Sequence, residues 1–183
     1  MPDLPLVYWD ACVFLSYING DANRLPDIDA LLNKSGTEFW IITSVLSIVE
    51  VAFGKTEQDG KALDEATERR ISDLWEPPSP IKVSEFYSLI AQEARALMRQ
   101  ALLKQWALRP PDAIHLATAR RVGATKFETY DDKLYKFTDL VGMPIGAPIA
   151  PAPELPFPIS GAAMSDAGYS TLYDAHAYPA MEE

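Results

Sequence analysis

Short apolar runs that break off at an acidic or small polar residue alternate along this chain with stretches whose apolar positions recur at helical spacing. Leu6-Val7-Tyr8-Trp9 stops at Asp10 and reads as a buried strand, and Ala11 to Ile18 then reads as a helix ending near Gly20. Pro26-Asp27 opens a second helix through Leu32, closed by Ser35-Gly36, and Phe39 to Thr43 is the next strand. Ser44 is a good N-cap for a helix over Val45 to Phe53, with Leu46, Val49 and Phe53 on its apolar side and Glu50 within it. Asp59 to Trp75 is charge-rich with Leu63, Ile71 and Leu74 on one stripe, and the Pro77-Pro78-Ser79-Pro80 cluster ends it.

Ile81-Lys82-Val83 is a third strand, after which Ser84-Glu85 starts a long helix carrying Phe86, Leu89, Ile90, Ala94, Leu97, Ala101 and Leu102 on its apolar side. Pro111 suits a first-turn position, so Asp112 falls in the first turn of a helix reaching Arg121, before Gly123. Lys126 to Thr129 is a fourth strand, with Asp131 just beyond it, and Met143 to Gly146 is a candidate for a short edge strand. Strands alternating with helices predict a mainly parallel α/β sheet with right-handed crossovers, whose sites lie beyond the strands' carboxyl ends. Asp10 and Asp131 both belong there.

Six prolines between Pro144 and Pro158 mark a change of composition. The expected organisation is one domain over residues 1–146 followed by a Pro/Ala-rich acidic tail over 147–183, with no clear helical or strand period. With 183 residues, 48% of them hydrophobic and 23% charged, the chain has the make-up of a globular protein able to bury a sizeable core. No apolar run approaches the roughly 20 residues that span a bilayer, and the N-terminus lacks a basic start or cleavage-like site, so a cytoplasmic protein is expected. Cys12 is the only cysteine, which excludes an intrachain disulfide and a Cys-based zinc site.

A net charge of −10 argues against coating nucleic acid through bulk electrostatics. Residues 144–183 hold five acids and no Lys or Arg, leaving 21 acidic and 16 basic groups in residues 1–143. If several of those acids hold divalent metal the domain is close to neutral, and a basic rim can still surround an acidic cleft.

Four acids, Asp10, Glu50, Asp112 and Asp131, fall where a strand or loop meets a helix. Singly each has a plain reading: Asp10 as a helix cap, Asp112 as a partner of the helix dipole, Asp131 as a turn residue, Glu50 as half of a salt bridge. Together they suggest a metal centre. Several carboxylates repel one another unless a cation joins them, magnesium and manganese prefer hard oxygen ligands, and such an ion can activate water for phosphodiester cleavage.

The segments LVYWDACVFLSYI, ITSVLSIVEVAFG, RPPDAIHLATA and FETYDDKL, in that order, resemble the PIN-domain nucleases, especially the bacterial toxin ribonucleases called VapC. The resemblance covers roughly residues 5–146. It implies a three-layer α/β/α sandwich and a magnesium- or manganese-dependent endoribonuclease, with Asp10, Glu50, Asp112 and Asp131 as its metal-binding and catalytic residues. It further implies a type II toxin–antitoxin pair, hence a small antitoxin partner, an RNA substrate and a homodimer. Rival readings are a PIN-like RNA-binding module without turnover and an RNA-processing nuclease that is not a toxin.

Around the four acids stand supporting candidates. Asp132 is expected to cap the helix that follows or to share the place of Asp131. His115, three residues after Asp112, could orient that carboxylate, and Thr129 and Ser44 are strand-end hydroxyls within reach of a metal-bound water. Relatives commonly carry Ser, Thr or Asn where this chain has Cys12, which is expected to be a small buried helix residue. Arg95, Arg99, Lys104, Arg109, Arg120, Arg121 and Lys126 form a solvated face or touch RNA phosphates, and the four tryptophans are expected in the core or at an interface.

Overall fold

The computed structural model describes residues 4–151. Strands β1 (Leu6–Trp9), β2 (Trp40–Ser44), β3 (Ile81–Ser84), β4 (Lys126–Glu128) and β5 (Ile145–Gly146) form one sheet in the order β3-β2-β1-β4-β5, with every pairing parallel. The chain starts in the centre, builds outward through β2 and β3, then returns to the other side of β1. The crevice at the carboxyl ends of β1 and β4 is therefore the topological switch point, where open α/β sheets place their sites.

Alternation along the strands sends side chains to two cores. Val7, Trp9 and Ile41 pack with Phe14, Ile28, Leu31, Ile71 and Leu74 from α1 (Ala11–Ile18), α2 (Leu25–Lys34) and α5 (Glu65–Trp75). Tyr8, Ile42 and Phe127 pack on the opposite face with Ile90, Leu97 and Leu116 from α6 (Ser88–Leu103) and α7 (Pro110–Arg121). Both faces of the sheet are covered, which makes the predicted α/β/α sandwich. The remaining helices are α3 (Leu46–Glu50), α4 (Lys55–Gly60) and α8 (Thr138–Val141), the last preceded by a 3₁₀ segment, Asp132–Phe137. Among the described residues no helix is long and apolar enough to cross a membrane.

Three expected helices differ. The helix foreseen over Val45 to Phe53 ends at Glu50, and its buried positions are Ser47 and then Val51, while Val49 is 72% and Phe53 48% exposed. Ser44 does not start it as a flanking cap; it is the last residue of β2, its Oγ taking the Leu46 N–H at 3.2 Å. The charged helix expected over Asp59 to Trp75 is two helices. Lys61 takes a left-handed conformation (φ 53°), and Asp64 caps a new start by accepting from Thr67 N, which strands Leu63 in the exposed break. The long helix begins at Ser88, not Ser84, because Ser84 is held by pairing to Ser44 at the end of β3. Phe86 and Leu89 are accordingly exposed. Compact packing extends through Pro151, with Ala150 N donating to Asp27 Oδ1 at 3.0 Å. The expectation for the tail falls largely on residues 152–183, outside the described residues.

Candidate active site

Register places the first two acids. Trp9 pairs with Glu128, so Asp10 and Thr129 are the residues that step off β1 and β4 side by side, and Asp10 N donates to Glu128 O at 3.1 Å. Asp10 caps α1, its Oδ1 accepting the Ala11 N–H at 2.7 Å, while its Oδ2 accepts the Thr129 hydroxyl at 2.9 Å. The same Thr129 oxygen accepts the Asp131 N–H at 3.0 Å, so one hydroxyl ties the turn carrying Asp131 to Asp10.

Cys12 is more than a packing residue. Its Sγ accepts the Tyr130 N–H at 3.2 Å and lies 3.1 Å from Thr129 Oγ1 and 3.4 Å from Asp10 Oδ2. Burial, and then the charge of Asp10, push the thiol up to about 12, so it stays protonated and neutral beside the carboxylate.

Glu50 is brought to the site by His115, whose Nε2 is 2.6 Å from Glu50 Oε2 and 3.7 Å from Asp10 Oδ1. His115 is thus a link between Glu50 and Asp10, not the support for Asp112 expected from its spacing. Its other nitrogen, Nδ1, is 2.7 Å from Tyr8 Oη, and that oxygen accepts the Ser44 N–H at 3.0 Å. With Ser44 donating, the Tyr8 proton is available to Nδ1, which places the ring proton on Nε2 and aims it at Glu50. Burial opposes the charged imidazolium of His115, but the Glu50 hydrogen bond and the charges of Asp10, Glu50 and Asp112 outweigh it, so its pKa is raised. Tyr8, fully buried and beside Asp10, is held well above the ordinary phenol range and keeps its proton.

Asp112 sits in the first turn of α7, where Pro110 and Pro111 start the helix. Its partner is Arg109, with Nε 3.0 Å from Oδ2 and Nη2 3.4 Å from Oδ1; this contact raises the Arg109 pKa, with smaller contributions from Asp131 and Asp10. Asp112, Asp131, Arg109 and Lys133 line one hollow of about 240 Å³. Asp131, and not Asp132, caps the 3₁₀ segment through the Lys133 N–H at 3.0 Å, and Asp132 is simply its first residue.

Glu50 and Asp10 therefore stand beside His115, and Arg109 pairs with Asp112 at the edge of the hollow that Asp131 also lines. The Asp10, Glu50 and Asp112 side chains are 13%, 28% and 19% exposed, recessed yet open to solvent. Their oxygens are the hard donors that magnesium or manganese takes. Among the described residues no three His, Cys, Asp or Glu side chains stand together as a ready metal cage; Glu50 is engaged by His115 and Asp112 by Arg109.

Sequence reasoning missed Tyr8 as part of this arrangement. Tyr8 carried a signal: a tyrosine inside a fully buried apolar strand needs a partner for its hydroxyl. Arg109 was expected on a solvated face or at RNA phosphates, and its pairing with Asp112 was not foreseen.

Residues 7–140 match the PIN domain family. The chain is 30% identical over 129 residues to Ribonuclease VapC46 of Mycobacterium tuberculosis (strain ATCC 25618 / H37Rv), an alignment spanning 69% of this chain and 88% of that relative. Among solved structures it is similar to VapBC2 from Rickettsia felis bound to a DNA fragment from its promoter, with TM-score 0.56, 14% identity, and 76% of this chain and 96% of that one covered. DNA-bound VapBC from Salmonella typhimurium gives TM-score 0.53 at 17% identity, over 78% of this chain and 96% of that one. At such identities the structural likeness is one of fold, but the family match spans most of the chain and the mycobacterial alignment agrees with it. The protein belongs to the PIN domain family.

Proposed function

We propose that this protein is a divalent-metal-dependent endoribonuclease, the toxin of a type II toxin–antitoxin pair, acting in the cytoplasm with a small antitoxin partner and as a homodimer. The observation that carries the reading is that His115 joins Glu50 to Asp10 at the switch point of the sheet, with Asp131 tied to Asp10 through Thr129 and sharing one hollow with Asp112. The mycobacterial relative's name supports ribonuclease activity, and the VapBC complexes support an antitoxin partner.

Magnesium or manganese held by Asp10, Glu50, Asp112 and Asp131 would supply an activated water and stabilise charge developing on the phosphate oxygens. The chain's own groups do the rest. The Ala11 N–H and Thr129 hydroxyl fix the two Asp10 oxygens, and His115, held by Tyr8, fixes Glu50. Arg109 keeps Asp112 in place and, with Lys133, lines the hollow that a scissile phosphate would enter. No side chain need act as a covalent nucleophile, and the protonated Cys12 thiol is unsuited to it.

The test is cleavage of single-stranded RNA in magnesium or manganese, with and without chelator. Asp10→Asn and Asp112→Asn, checked for folding by circular dichroism, are expected to lose about 10²-fold or more of the rate. Full activity in chelator or in either variant would sink the assignment.

A further inference from the structure

The exposed side of α6 carries Arg95, Arg99 and Leu102 at helical spacing, with the half-buried Met98 between them and the buried stripe Ile90, Ala94, Leu97 and Ala101. With Trp106 and Arg109 they line an open groove of about 410 Å³, within the size range of small-ligand sites. Its floor is apolar, with Leu102 74% exposed, and the half-buried Trp106 is braced edge-on against Phe137 at 5.5 Å while Lys104 Nζ lies 4.9 Å from its ring centre. The one acid on α6, Glu93, is taken by Arg120 and Arg121 at 3.3 and 3.5 Å. Among the described residues Arg95 and Arg99 make no ion pair.

This groove adjoins the acidic hollow: Ala107 and Arg109 line both. Arginines beside an aromatic and aliphatic floor match a nucleotide, whose phosphate takes the guanidinium groups while its base rests on the apolar surface. A folded double strand hides its base faces and does not fit such a floor. The geometry points to the α6 groove as a subsite for one or two unpaired nucleotides flanking the scissile phosphate, held at phosphate by Arg95 and Arg99 and at the base by Leu102 and Trp106. The inference rests on the ribonuclease reading for its substrate, and it explains how a chain of net charge −10 holds RNA: Arg95, Arg99 and Arg109 stand together along one groove beside the acids.

The experiment measures binding of a fluorescein-labelled single-stranded RNA oligomer to the full chain in chelator, across a salt series, alongside cleavage kinetics in manganese. Arg95→Ser/Arg99→Ser is expected to weaken binding at least about fivefold and to flatten the log affinity against log salt slope by about 1.4, the value for two lost single-strand phosphate contacts. KM rises and kcat stays. Leu102→Ser weakens binding while leaving the salt slope unchanged, because it removes base contact alone. Arg69→Ser/Arg70→Ser on α5 serves as the control and leaves binding unchanged. Unaltered affinity and slope in Arg95→Ser/Arg99→Ser would overturn the inference and assign the groove to a protein partner. An equal loss in the control would overturn it in favour of bulk attraction. Wild-type protein that binds the oligomer but cleaves nothing would instead defeat the ribonuclease reading and leave the binding arm to decide the subsite.

Discussion

Tyr8→Phe is the most exacting perturbation of the site, because it removes one oxygen atom and nothing else. The ring survives, stacked on Phe127 with centres 5.0 Å apart, and no cavity large enough to matter is created. What is lost is the hydroxyl that joins Ser44 of β2 to His115. The Ser44 N–H, at 0% exposure, loses its acceptor, and His115 Nδ1 loses the hydroxyl that fixes its tautomer. Leaving a buried polar group unpaired costs about 1–3 kcal/mol, so two such groups predict a loss of about 2–6 kcal/mol. At about 2–4 °C per kcal/mol for a chain of this size that corresponds to about 4–24 °C in Tm.

Urea unfolding measures the first quantity, and nitrogen-detected imidazole spectra of His115 report the second. The wild type should show the proton on Nε2, and the variant should show mixed tautomers, with RNA cleavage falling further than the folded fraction does, since Glu50 is no longer held. A stability change under about 0.5 kcal/mol, or an unaltered His115 spectrum, would refute the reasoning.

Other perturbations test the frame. Gly54→Ala puts a methyl 2.8 Å from Thr67 Cγ2, and Thr67 cannot rotate freely because its hydroxyl donates to Asp64 at 2.8 Å; a loss of about 1–3 kcal/mol in urea unfolding is expected. Glu57→Ala strands the buried Gly54 N–H and releases the exposed Asp64 N–H to solvent, both of which its oxygens accept at 2.9 Å, and should cost about 1–3 kcal/mol by the same assay. Glu128, 3% exposed, has its pKa raised by burial against the pull of Lys126 and Trp9. A carboxyl with a raised folded value favours folding below its unfolded pKa, and that contribution disappears as pH rises through the folded value. Wild type should therefore lose ground to Glu128→Gln across that window, by about 1.4 kcal/mol for each pH unit separating the two values, and a gap that stays flat or reverses rejects it.

The strands were legible because each is a short apolar run ended by a residue with another duty: Asp10 caps, Ser44 accepts from Leu46, and Asp131 turns. The two-sided burial of a parallel sheet followed from the same runs. Helical spacing misled where local chemistry prevailed. Asp64 capping Thr67 broke a pattern that looked continuous from Asp59, and α3 was too short for its apolar residues to find a core. The order of the four acids was readable, but their partners were not. His115 approaches Glu50 from 65 residues away, a contact that exists only because β1 places Tyr8 between α7 and the end of β2. Spacing along α7 pointed to Asp112 instead, since sequence gives neighbours on one helix and not across a sheet.

The positions of the acids follow from a rule that each carboxylate already has a donor. Asp10 has Ala11 N–H and the Thr129 hydroxyl, Glu50 has His115, Asp112 has Arg109, and Asp131 has Lys133 N–H. Like charges gathered at one crevice would otherwise drive it open or force protonation. The donors differ in how firmly they are fixed. Those on Asp10 and Asp131 are backbone groups and a buried hydroxyl, and His115 is only 1% exposed, whereas the Arg109 side chain is 74% exposed and free to swing. Asp112 is thus the acid whose present partner is most readily exchanged, and the arginine it releases already borders the groove along α6. A cation held at the acids would replace Arg109 as the partner of Asp112, and the guanidinium so released would stand at the border of the α6 groove, in reach of an incoming phosphate.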